Sequence, residues 1–295
     1  MFCASLADFL TPDRPAIRIL LTRVRGSSPR GAGTEMFVTH DGLWGTIGGG
    51  RLEHGAVERA RAMLRDGEAT AEMDVPLGPE IGQCCGGRVE LSLQRMGPAC
   101  RAAALDRARI EGDNRPHVHV LGAGHVGRAL ADLFQHLPVR CILIDSRAGE
   151  LAQCAARVEK HHSAIPEADI ATAPPGSAFI VLTHDHGLDF LLTAAALGRG
   201  DAAYVGMIGS ATKRAKFASW ARDHGDGQST RHLHCPIGAG GSHDKRPGVI
   251  AAFVVAEVIG ALTSGSGAAA DCSGQLASLP LAGQGTGRAR ASCAP

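Results

Sequence analysis

The apolar positions of this chain change their rhythm more than once, and the changes mark its elements. From Ala16 to Val24 the run AIRILLTRV has the aliphatic density of a buried strand, and the turn-rich GSSPRGAGT follows it. EMFVTHDG and LWGTIGGG then predict two short strands joined at an Asp-Gly turn. In RLEHGAVERARAMLRDG the apolar residues Leu52, Ala56, Ala60 and Leu64 recur every fourth position, with charges on the other faces. This spacing predicts an amphipathic helix that stops at Gly67. A further strand pair brackets GQCCGGRVELSL, and IEGDNRPH has the polar, proline-containing character of a linker. The expectation is a small N-terminal α+β domain over residues 1–111 and a linker over 112–117.

Beyond the linker the pattern becomes strand, glycine turn, helix, strand: HVHVLG, AGHVGRALADLFQHL, then RCILIDSR. A second half follows in SAFIVLTHDH, a helix through DFLLTAAALG, the strand AAYVGMIGS and a helix beginning near Thr212. Such alternation predicts an α/β fold with a Rossmann-like, doubly wound parallel sheet over residues 118–262. VIAAFVVAEVIGAL is short for a bilayer span and carries Glu257 near its middle, so it predicts a core helix and no membrane association. Residues 263–295 are rich in Gly, Ala and Ser with few large apolar residues, which predicts a disordered tail.

Composition narrows the function classes. A formal charge of +1 provides no long-range attraction for polyanions, so nucleic acid is not an expected partner. Nine cysteines, an odd number, are scattered along the chain, and MFCASLADFL lacks a basic n-region and a full apolar h-region. Both point to a cytoplasmic protein with reduced thiols.

The candidate chemistry clusters at glycine turns. Gly122, Gly124 and Gly127 complete G-x-G-x-x-G between a strand and a helix, and Asp145 ends the next strand. Such a turn lets a backbone approach a phosphate, the helix N-terminus stabilises its charge, and an acidic strand end accepts ribose hydroxyls. VLTHDH brings His184, Asp185 and His186 to the carboxyl edge of the sheet. Gly209 and Ser210 sit at a strand-to-helix turn with Lys213 and Arg214 in the first helical turn, where cations oppose the helix dipole and a bound anion would compensate. In the first domain, three glycines precede the helix in TIGGGRLE, a geometry suited to an anion or to close packing. The vicinal Cys84 and Cys85 in CCGGR are candidates for sulfur chemistry or a soft metal if Arg88 lowers their pKa.

Taken in order, GSSPRGAG, GTIGGGRLEHGAVERA, CCGGRVEL, VLGAGHVGRALA, LIDSR, VLTHDHGLD, GMIGSATKRAKF and CPIG…RPGVIAAFVVAEVI resemble the XdhC/CoxI family from about Ile17 to about Leu262. The resemblance implies a carrier, not a catalyst. It would bind the molybdenum cofactor (molybdopterin) as cargo, hold it while a cysteine desulfurase supplies the sulfido ligand, and assist insertion into xanthine dehydrogenase. On this reading phosphate contacts fall to Gly122, Gly124 and Gly127, pterin or edge contacts to His125, Asp145 and His184, and the rest of an anion pocket to Gly209, Ser210 and Lys213. Cys84 and Cys85 would face the molybdenum or its incoming sulfur. Where the CoxI branch often has Ser-Gly-Gly-Cys, this chain reads Gly48-Gly49-Gly50-Arg51, so no thiol of that loop takes part and the Cys84–Cys85 pair matters more.

Two other readings stay open. The fingerprint and Asp145 suit an NAD(P)-dependent oxidoreductase, with NAD the less favoured occupant. His184, Asp185, His186 and His234 suit a metal-dependent hydrolase. A small, glycine-rich first domain also suits a homo-oligomer, with no stoichiometry implied.

Overall fold

The structure, a computed structural model, describes residues 5–78, 86–224, 229–242 and 244–264. The chain divides into two units after Asn114, each built on its own sheet.

The first unit opens with α1 (Leu6–Phe9) and contains β1 (Ile17–Arg25), β2 (Glu35–Val38), β3 (Leu43–Gly45), α2 (Gly50–Asp66), β4 (Thr70–Pro76), β5 (Arg88–Arg95) and α3 (Pro98–Asp113). Its strands pair antiparallel in the order β3-β2-β1-β5-β4. The expected Asp-Gly hairpin joins β2 to β3, closed by the Thr39 amide donating to the Gly42 carbonyl at 3.0 Å. The fourfold spacing of α2 has its expected consequence. Leu52, Ala56, Ala60 and Leu64 are all buried against Ile17, Ile19 and Leu21 of β1, and the helix ends at Gly67 in the left-handed region, φ 77°.

The opposite face is covered by α1 and α3, where Phe9, Phe37, Met96 and Ala104 form a smaller core. The sequence pattern did not announce α3. Its apolar residues form no continuous stripe and only Ala104 is buried, so its C-terminal turn reads as linker. Arg101 instead ties it to the N-terminal segment, donating to the carbonyls of Thr11 and Arg14 at 2.9 and 2.6 Å.

The second unit alternates β6 (His117–Leu121), α4 (His125–Phe134), β7 (Arg140–Asp145), α5 (Ala148–Ala152), β8 (Glu159–His162), α6 (Pro166–Thr172), β9 (Ala178–Val181), α7 (His186–Gly198), β10 (Tyr204–Met207), α8 (Ala211–His224), β11 (Leu233–His234) and α9 (Pro247–Ser264). All neighbouring strands are parallel, in the order β11-β10-β9-β6-β7-β8. Alternate residues feed two cores. Val118 and Val120 of β6 pack with Leu130 and Phe134 of α4 and Val254 of α9, while Leu121 packs with Leu192 of α7 and Phe217 of α8. Helices therefore cover both faces, as the sequence predicts, and the strand order reverses between β6 and β9. Ligands of open α/β sheets sit at such a reversal, outside the carboxyl ends of the strands.

Like α3, the last helix differs from its expectation. The apolar run of α9 reads as a core helix, yet only Ala251, Val254 and Val258 are buried, and Ala252, Ala256 and Gly260 face outward. By length and composition alone, α9 is long and apolar enough to cross a membrane.

Candidate functional site

The three fingerprint glycines do three different jobs at the end of β6. Gly122 turns the chain at φ 128°, and a Cβ there would lie 2.4 Å from the Leu182 carbonyl oxygen. A Cβ on Gly127 would lie 1.9 Å from the Gly122 oxygen, so its absence lets α4 press onto the strand end. Gly124, the residue capping α4, has nothing within 4 Å of its missing side chain. Two glycines serve packing. The third leaves open space at the positive end of a helix, where an anion fits.

Asp145 braces this turn. One carboxylate oxygen accepts the Ala123 amide at 2.7 Å and an Arg147 guanidinium nitrogen at 2.9 Å, while the other accepts the Arg147 amide and Nε at 2.9 and 3.0 Å. Burial opposes its charge, but the Arg147 guanidinium and the two amides together hold its carboxyl below the usual carboxylate range. Four donors fill the roughly four acceptor positions of a carboxylate. From the other side Arg128 donates to the Ala123 carbonyl at 2.7 Å and pairs with Glu150. Ala123 is thus clamped at both its N–H and its C=O, on the two sides of its Cα. Neither arginine stood out in the sequence, although Asp-Ser-Arg at a strand end signals an internal pair.

The carboxyl end of β9 lies beside the turn, and that of β10 follows one strand further out. His125 and His184 are both exposed, at the start of α4 and after β9. A narrow crevice is lined by Gly122, Asp145, Ser146, Pro166, Thr183 and His184, with Leu121, Leu188 and Leu192 among its apolar walls. Asp185 does not face it as a ligand would, because its side chain caps α7, accepting the amides of Gly187 and Leu188.

A buried ion pair stands behind this edge. Asp189 is 1% exposed and accepts the Thr183 amide at 2.9 Å and hydroxyl at 2.7 Å, while its other oxygen accepts from the Lys213 ammonium. Lys213 is therefore at the carboxyl edge, as expected, but committed to an internal carboxylate. The stem of Lys213 lies across Gly209, where a Cβ would meet it at 2.7 Å, and the Ser210 hydroxyl accepts the Lys213 amide at 3.3 Å. Sequence reasoning missed Asp189 because, four residues after Asp185, it reads as a second polar residue of a helix start. Cys235, at the end of β11, is buried, and that burial pushes its thiol up despite Lys213 and Arg214.

The proposed hydrolase set does not assemble. Asp185 is a helix cap, His234 stacks on Tyr204 with ring centroids 4.5 Å apart, and among the described residues no group of three or more His, Cys, Asp or Glu is arranged to hold a metal. In the first unit, the amides of Ile47 and Gly49 and the Thr46 hydroxyl converge on one oxygen of Glu53. The three-glycine turn therefore closes on a carboxylate of its own helix. Gly48 packs on Pro29, where a Cβ would lie 2.8 Å from its side chain, and Gly87 lies against Ser27, so the loops of GSSPRGAG and TIGGGRLE and the glycine before Arg88 meet at one end of this unit. Cys84 and Cys85 themselves lie outside the described residues.

Fold and turn together define a two-unit protein whose second unit is a Rossmann domain with an open glycine turn at the start of α4. Family models agree: "XdhC Rossmann domain" matches residues 118–258 and "XdhC and CoxI family" matches residues 10–74. The chain belongs to the XdhC and CoxI family. It is 26% identical over 250 residues to the Escherichia coli (strain K12) protein YqeB, covering 80% of this chain but only 41% of that protein. A solved structure described as a xanthine dehydrogenase from Bacillus halodurans superposes with a TM-score of 0.73 at 16% identity, covering 88% of this chain and 95% of the other, and shares the fold.

Proposed function

We propose that this protein is an accessory factor of xanthine dehydrogenase maturation that carries the molybdenum cofactor. The supporting observation is the division of labour in the glycine turn. Gly124 offers unobstructed space at the N-terminus of α4, while Asp145 has its acceptor positions filled by Ala123 and Arg147. A phosphate finds donors there, and a ribose diol finds no free acceptor unless Arg147 lets go. Molybdopterin carries such a phosphate and no ribose. This balance favours it over NAD, the occupant an oxidoreductase would need.

On this reading the turn of Gly122, Gly124 and Gly127 holds the phosphate, and His125 and His184 offer imidazole edges to the pterin from either side. Asp145 positions the turn. Gly209, Ser210 and Lys213 shape the neighbouring edge, with Asp189 fixing the ammonium. Cys84 and Cys85 supply thiols for the sulfur that a cysteine desulfurase delivers, and the loaded protein passes its cargo to xanthine dehydrogenase.

The test is retention of cargo. Purified protein incubated with molybdenum cofactor should keep pterin fluorescence and molybdenum through desalting, whereas NAD(H) should show no micromolar binding. The double variant Cys84→Ser, Cys85→Ser should lose molybdenum protection with its fold intact. NAD(H) binding at micromolar concentration without pterin retention would overturn the reading.

A further inference from the structure

The four sheet edges among the described residues are unequal. Three are short: β3 with three residues, β8 with four and β11 with two. The fourth, β4, has seven residues and pairs only with β5 among the described strands. Proteins ordinarily shorten or cover such edges, because a long row of unpaired backbone groups recruits another strand. Beside β4 runs an open groove of about 560 Å³, lined by Arg51, His54, Gly55 and Glu58 of α2 and by Met73 and Val75 of β4. A free strand edge flanked by a helix and an open groove is the arrangement that accepts an extended peptide by strand addition.

We propose that this groove of the first unit binds an extended segment of a partner protein, added as a sixth strand along β4. The segment has apolar side chains at alternate positions and lysine or arginine between them. Alternation follows from the pleat. Met73 and Val75 point to the α2 side with the core, so every second residue of an added strand meets the groove. Basic character follows from the other face, where Glu72 and Asp74 are exposed. Asp74 is engaged by Arg88 at 2.6 and 2.8 Å, whereas Glu72 has no ion-pair partner among the described residues.

The same charges disfavour a second copy of this chain. Antiparallel self-pairing across a two-fold axis opposes Glu72 to Glu72, Glu72 to Asp74, or Asp74 to Asp74 in its three central registers, and like charges directly opposite are destabilising. This docking surface is independent of the cargo the second unit carries.

The test is fluorescence anisotropy on the full chain with a labelled heptapeptide of alternating lysine and valine, against its glutamate–valine counterpart. The basic peptide should bind at least tenfold tighter. Gly55→Trp should weaken it tenfold or more, because nothing lies within 4 Å of a Cβ at Gly55 and the indole projects into the groove. Glu72→Lys should reverse the preference, which keeps the test decisive even if Gly55→Trp fails to fold. Equal binding of both peptides, or basic-peptide binding that survives both substitutions, overturns the proposal. So does a dimer that Gly55→Trp dissociates, or peptide affinity that rises tenfold when the chain ends at Ser264, which would assign the groove to a second copy or to the chain's own C-terminal residues.

Discussion

Each unit has a glycine turn that opens a helix, and the two turns end differently. In the first unit the donors of Thr46, Ile47 and Gly49 all land on Glu53, three residues into α2. In the second, the first turn of α4 has no acidic residue, and Asp145 reaches over from β7 to take only the Ala123 amide, leaving Gly124 open. A glycine run before a helix is therefore ambiguous by itself. Whether it receives a foreign anion depends on whether the helix brings its own.

The largest expected effect separates packing glycines from the open one. Gly127→Ala puts a methyl 1.9 Å from the Gly122 oxygen, and such overpacking should cost about 3 kcal/mol in denaturant unfolding. A cost under about 1 kcal/mol would mean that α4 is free to lift off the strand.

Acid should reveal a second asymmetry. His119 of β6 is buried against Phe179 with neither ring nitrogen hydrogen-bonded; burial, with help from His117, lowers its pKa from 6.5 to about 4. The unfolded chain binds the proton first, so this contribution is whole above pH 6.5 and drains away as pH falls toward 4. Summed over that window it amounts to about 3 kcal/mol. His119→Phe should flatten the acid limb of the stability profile, and an unchanged limb would place the acid sensitivity elsewhere.

Opening the closed turn comes next. Glu53→Ala leaves the donors of Thr46, Ile47 and Gly49 without their shared acceptor, and should cost about 2 kcal/mol, measured by thermal unfolding. A neutral result would show that water replaces the carboxylate at no cost. The smallest effect on stability belongs to Gly124→Asp, which copies the first unit's solution into the second. Aspartate is a favourable helix cap in this extended conformation, φ −66° and ψ −171°, so stability should stay within about 1 kcal/mol.

Much of the architecture was readable as pattern. The fourfold spacing of α2, the strand–turn–helix rhythm of the second unit and the glycine fingerprint are local features, and local features survive translation into structure. Pairings across long stretches of chain are not local. Lys213 meets Asp189 twenty-four positions away, and Arg128 meets Glu150 across twenty-two. No periodicity signals either, so residues read as free anion contacts turned out to have partners. Helix α3 escaped for a different reason, since a helix held by one buried alanine and an arginine tie has no apolar stripe to read.

If Gly124 is kept open for an anion, the Gly124→Asp protein reveals it when pterin and molybdenum retention are measured beside a melting curve. An unchanged or higher melting temperature with retention abolished is the expected result, because a fixed carboxylate would occupy the phosphate's place. Full retention by a well-folded Gly124→Asp protein would contradict it and move the cargo away from this turn.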